Sequence, residues 1–135
     1  QPETYFERHT NMTSDTLNAP GYVASVLVPV EARSLNKKDN HYMSRARRVK
    51  AARQAVHWAL KAIRKPTLPC VVMLCRIANS EGLDAHDNLP GSLKPMVDGI
   101  ADWLGIDDRD DRVEWRYSQE RGAAYGVRVT VMADA

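Results

Sequence analysis

Cysteine is scarce in this chain, with only Cys70 and Cys75 among 135 residues. Their spacing matches no zinc motif, and nothing nearby signals secretion. Both are therefore expected to be buried free thiols in a reducing compartment. Long apolar runs are also missing. The most apolar stretches, 22–30 and 68–78, fall far short of the roughly 20 residues that a membrane helix needs. The absence of a targeting signal predicts a cytoplasmic protein. Phenylalanine occurs once, as Phe6, yet 44% of residues are apolar and 27% charged, an ordinary balance for a globular chain. Neither an internal repeat nor a linker-like stretch divides the sequence. The length fits one domain with a single core.

A large excess of one charge is likewise missing, since the formal net charge is only +2. The charges are nevertheless segregated. Arg33 to Lys65 holds eleven of the nineteen Lys and Arg residues and a single acid, Asp39. Leu83 to Asp111 holds eight aspartates. A basic segment beside an acidic cluster points to two tasks, holding a polyanion and binding a cation.

Residues 1–20 are polar and aperiodic and read as a flexible tail, leaving 21–135 as the folded domain. Tyr22 to Val30 is β-branched and apolar, a strand that Pro29 ends or confines to an edge. A helix is predicted from Met43 to Arg64, with Val49, Ala52, Val56, Leu60 and Ile63 on its inner face and Arg45, Arg47, Arg48, Lys50, Arg53 and Lys61 around the rest. The CVVMLCRIA stretch (70–78) reads as a buried strand. A second helix starts near Pro90, buries Leu93, Met96, Val97, Ile100 and Leu104, and stops at Gly105. Val113, Trp115 and Tyr117 alternate with polar residues in a third strand, QERGAAYG turns the chain, and Val127, Val129 and Val131 line a fourth. The order β-α-β-α-β-β predicts an α/β (α+β) domain with a mixed sheet.

The aspartates divide by position. Asp87 or Asn88 can cap the second helix, and Asp98 and Asp102, four apart, suit a solvated helix face. IDDRDD (106–111) fits such readings less well, because it follows a helix C-terminus where anions are disfavoured by ~0.3–1 kcal/mol each. A hard cation such as Mg²⁺ or Mn²⁺, which takes oxygen ligands, would reverse that penalty. This chemistry leaves His86 outside the ligand set.

Three elements in order, Asp84-x-x-Asp87-Asn88-Leu89, Lys94-x-x-x-Asp98-Gly99 and Leu104-Gly105-Ile106-Asp107-Asp108, resemble the signature of RusA-like Holliday junction resolvases, common in bacteriophages and prophages. The upstream SLN (34–36), the HY pair that follows it and the basic RARRVKAARQ helix resemble phage members, and the likeness spans about Tyr22 to Ala133. It departs from the family in two places. Asp84 lies three residues before Asp87, with Ala85 where an acid is usual, and extra residues separate Leu89 from Lys94.

The resemblance implies an intertwined homodimer that hydrolyses DNA phosphodiesters with Mg²⁺, or Mn²⁺, and has no membrane partner. Asp84, Asp87, Asp107 and Asp108 are its candidate metal ligands, and Asp84, Asp87, Asp108 and Lys94 its candidate catalytic residues. Lys37, Lys38, Arg45, Arg47, Arg48 and Lys50 are its candidate DNA contacts, gripping phosphates without reading bases. The implied substrate is branched DNA, four-way junctions above all. A straight second helix of about 22 Å separates Asp87 from Asp108, so the acidic loop must return along it or a second subunit must complete the site. Two other readings stand beside this one. The first is a DNA-holding protein without cleavage, and the second an HNH-type nuclease using His86 and Asn88.

Overall fold

A computed structural model describes residues 22–33, 42–79, 82 and 88–133. The reading of 1–20 as a tail lies outside them. Among the described residues six elements run in the expected order: β1 (Tyr22–Val28), α1 (Tyr42–Leu60), β2 (Cys70–Ala78), α2 (Asn88–Leu104), β3 (Val113–Arg121) and β4 (Gly126–Ala133). The four strands form one mixed sheet in the order β1-β4-β2-β3. β4 runs antiparallel to both β1 and β2, and β2 pairs parallel with β3. A parallel pair needs a long crossover, and the segment holding α2 supplies it.

Alternation within the strands decides which face is covered. Cys70, Val72 and Leu74 of β2 and Val127, Val129 and Val131 of β4 are buried in one cluster with Val56 and Leu60 of α1 and Leu93, Met96, Val97 and Ile100 of α2. Both helices therefore pack on the same face of the sheet and against each other. Val49, Ala52 and Ile63 join that face only in part, being half-buried. The helices pass close to one another at Gly99, where a built Cβ would sit at ordinary contact distance, 3.4 Å from Val56 Cγ1 and 3.6 Å from the Arg53 Cα. On the other face, Ser25 and Thr130 are linked between β1 and β4 by a 3.0 Å hydroxyl hydrogen bond. Among the described residues three polar side chains are buried, Arg76, Ser92 and Thr130, and the Arg76 Nε donates to the Ala32 carbonyl at 2.9 Å.

The boundaries differ from expectation in three places. β1 ends at Val28 rather than Val30, because Pro29 has no N–H to continue the ladder. α1 ends at Leu60 rather than Arg64, where the Ile63 N–H bonds to the Leu60 carbonyl at 3.1 Å and tightens the last turn ahead of Pro66. β3 continues through Gln119 to Arg121, residues expected to turn the chain, because β2 pairs with it as far as Ala78 opposite Arg121. Trp58 of α1 points away from this core and is 66% exposed. Cys70 is buried and Cys75 half-buried, both free. Burial pushes the Cys75 thiol up to about 11, so it stays protonated at neutral pH.

Candidate functional site

The acidic loop is positioned by the way α2 ends. Gly105 takes φ = 74°, a left-handed conformation that glycine adopts at no steric cost. The Gly105 N–H bonds to the Asp102 carbonyl at 3.1 Å, and the Ile106 N–H reaches back to Ala101 at 3.0 Å. This pair of bonds is the Schellman stop, and it reverses the chain. Ile106 then packs against the core, so the following residues run back beside α2.

Two of the four loop aspartates build the turn itself. Asp107 Oδ1 accepts the Arg109 N–H at 2.8 Å, and the Asp107 carbonyl accepts the Asp110 N–H at 2.9 Å. Asp110 Oδ1 accepts the Arg112 N–H at 2.9 Å, while its two oxygens take the Arg112 guanidinium at 3.0 and 2.7 Å. That paired guanidinium holds the Asp110 carboxyl down at about 2. Asp111 is exposed. The remaining acid, Asp108, is anchored through its backbone, whose carbonyl accepts Trp115 Nε1–H at 3.2 Å. Its side chain is thereby presented to α2.

There Asp108 Oδ2 accepts a hydrogen bond from Lys94 Nζ. The same ammonium lies 3.0 Å from Asp98 Oδ1, one helical turn further along α2. Lys94 thus joins a helix carboxylate to a loop carboxylate. Its hydrogen bond lowers the Asp108 pKa, and Asp108 in turn raises that of Lys94. The two positions expected to act together, Lys94 and Asp108, are in direct contact within one chain. The loop returns along the helix as far as Lys94, while Asp87, which either route was to bring to Asp108, lies outside the described residues.

Asp98 was expected on a solvated face and is instead the second partner of Lys94. Asp102 was expected there too and is exposed, where it pairs with Arg53 Nη2 of α1. The i,i+4 spacing of Lys94 and Asp98 carried a signal for the first pair. The second pair left none in the sequence, because it depends on how closely α1 and α2 approach at Gly99.

Arg53 also connects two surfaces. A cleft of about 230 Å³ is lined by Arg53, Asp98, Asp102, Ile106, Asp107 and Asp108. A shallower groove along α1 is lined by Arg45, Val49, Lys50, Arg53, Gln54 and His57. The basic groove and the acidic cleft therefore meet at one guanidinium. Arg45, Arg47 and Lys50 are exposed on α1, whereas Arg48 is half-buried and lines a small pocket together with Ser92 and Met96 of α2.

Asp84, Asp87, His86, Lys37 and Lys38 lie outside the described residues. Among the described residues, no group of three or more His, Cys, Asp or Glu side chains is placed to hold a metal ion. No helix among them is long and apolar enough to cross a membrane. No protein-family model matches this chain, and neither does any curated protein.

Proposed function

We propose that this chain is a RusA-like, metal-dependent, structure-selective endodeoxyribonuclease, which acts as a homodimer on four-way junctions or related branched DNA in phage or prophage recombination and repair. The observation that carries this reading is the approach of Asp108 to Lys94 and Asp98, in a cleft that shares Arg53 with a basic groove. A DNA strand lying in that groove has its phosphates held by cations and leads directly to carboxylates, the order of chemistries that phosphodiester hydrolysis requires.

The donor set suits a hard divalent cation such as Mg²⁺ or Mn²⁺. All its atoms are carboxylate oxygens, and those of Asp98 and Asp108 already converge on one positive charge, the Lys94 ammonium. Asp108 and Asp98 are the described residues that would hold the ion, with Asp84, Asp87 and Asp107 the further ligands expected from the resemblance. Held there, such an ion would supply water activation and charge neutralisation at the phosphoryl oxygens. An ion taking those oxygens would displace the Lys94 ammonium to a place beside it, where Lys94 would stabilise the charge that develops on a phosphoryl or leaving oxygen. Arg53 fixes the α2 side of the cleft through Asp102 and lines the path of the strand. Arg45 and Lys50 hold phosphates without sequence preference.

The rival is a DNA-holding protein without cleavage. It draws support from the structural work of Asp107 and Asp110 and from the ion pairs of Asp98, Asp102 and Asp108. A synthetic four-way junction incubated with the protein and Mg²⁺ separates the two. Symmetric nicks in the wild type, lost in Asp108→Asn while junction binding persists, are the expected result. A wild-type protein that binds the junction and leaves it intact refutes the nuclease reading and favours the rival.

A further inference from the structure

The outward side of α1 carries a row of which the proposed function uses only Lys50. Arg47, Lys50, Gln54 and Trp58 follow one another at steps of three, four and four residues, Lys61 follows in the turn just past the helix, and all five are exposed. That spacing keeps the four helical residues on one side of α1 over about 17 Å. Trp58 stands in it at 66% exposure, although an indole is among the side chains most favoured by burial. The Lys61 ammonium lies 4.7 Å from the Trp58 ring centroid, and the His57 ring meets the indole nearly edge-on at 5.6 Å. His57 in turn lines the basic groove.

We propose that this row is a strip for unpaired DNA, in which Trp58 stacks on a base released from pairing while Arg47, Lys50 and Lys61 hold the flanking phosphates. The inference rests on the DNA reading above and adds to it the feature of the substrate that is recognised. A protein partner covering Trp58 would have to bury the cations on either side of it. The ligand that suits one aromatic ring between cations is an anionic chain bearing flat apolar faces. A fully paired duplex hides those faces in its stack, whereas a bulge or a branch point exposes them. Stacking on an aromatic ring accepts any base, which matches a strip whose other members are phosphate-binding side chains.

The test uses the full chain without divalent cation, so that binding is read apart from cleavage. Fluorescence anisotropy compares a fully paired duplex with the same duplex carrying a single-stranded bulge. The wild type is expected to prefer the bulged DNA. Trp58→Ala should weaken that complex roughly tenfold and leave the paired duplex unchanged, and Trp58→Phe should recover most of the loss. Indole emission should be quenched by bulged DNA in the wild type and not in Trp58→Ala. Equal affinity of Trp58→Ala and wild type for bulged DNA overturns the proposal, as does an equal loss on both DNAs or a wild type that binds neither. Junction nicking is scored separately. A protein that nicks junctions although Trp58→Ala binds like wild type retains the nuclease reading and loses the strip. One that discriminates bulged DNA through Trp58 but never nicks retains the strip alone.

Discussion

Lys94 holds two carboxylates of opposite origin, one from its own helix and one from the loop beyond it. The three groups are partly in solvent, with half of the Lys94 side chain exposed, so each contact is modest in energy. What they fix is position. The pKa shifts define the range in which the pair exists. Asp108 is lowered, so its contribution is present above the ordinary carboxylate value near pH 4 and is lost as pH falls through the folded one. Lys94 is raised, so its contribution is complete below the ordinary value of about 10.4 and fades as pH rises through the folded one. The pair is thus intact across neutral pH. Replacing Lys94 with Ala removes the main cause of the Asp108 shift. In carboxyl-detected NMR the Asp108 titration should move to higher pH in Lys94→Ala, with Asp110, held by Arg112, staying near its wild-type midpoint. An unmoved Asp108 would show that Lys94 does not set its charge.

At the scale of elements, the contact of α1 with α2 aligns the basic and acidic surfaces. Gly99 sits at their crossing, inside a helix where glycine costs about 1 kcal/mol relative to alanine. The space beside it admits a methyl group at ordinary contact distance. Gly99→Ala is therefore expected to stabilise the fold by about 0.5–1 kcal/mol, read as a higher urea midpoint. A lower midpoint would mean that the helices already touch too tightly for the methyl. The elements themselves were largely legible. β2 could be placed at 70–78 because a central strand covered by neighbours is a continuous apolar run. The end of β3 was not legible, since Ser118 to Arg121 are polar and only their partners in β2 keep them extended. In the site, Lys94 and Asp98 were readable from their spacing. The approach of Asp108 was not, because a glycine stop shows where a helix ends but not where the chain goes next. Asp107 and Asp110 were harder still. The same residue type serves as ligand or turn-builder, and the hydrogen bonds that separate the two roles appear only once the loop is folded.

Across the whole molecule, the small net charge conceals an arrangement of opposites. On the proposed reading, the basic groove of α1 attracts a phosphate chain, and the adjoining cleft repels it through Asp98, Asp102, Asp107 and Asp108 unless a cation intervenes. If the cations of α1 were only a solvated face, DNA binding would be weak and little affected by removing two of them. If they grip phosphates, each contact releases condensed counterions, and the logarithm of affinity falls with the logarithm of salt concentration by about 0.9 per phosphate on duplex DNA. Arg45 and Lys50 line the groove beside Arg53 and do not form part of the core. Replacing both with Gln should weaken binding to paired duplexes of unrelated sequence alike, and should flatten the salt dependence by about 1.8 in slope. The equal effect on every sequence matters as much as its size, because phosphate contacts position a protein without reading bases. A double variant with the wild-type slope would move the DNA to another surface and separate the acidic cleft from the strand it is proposed to cut.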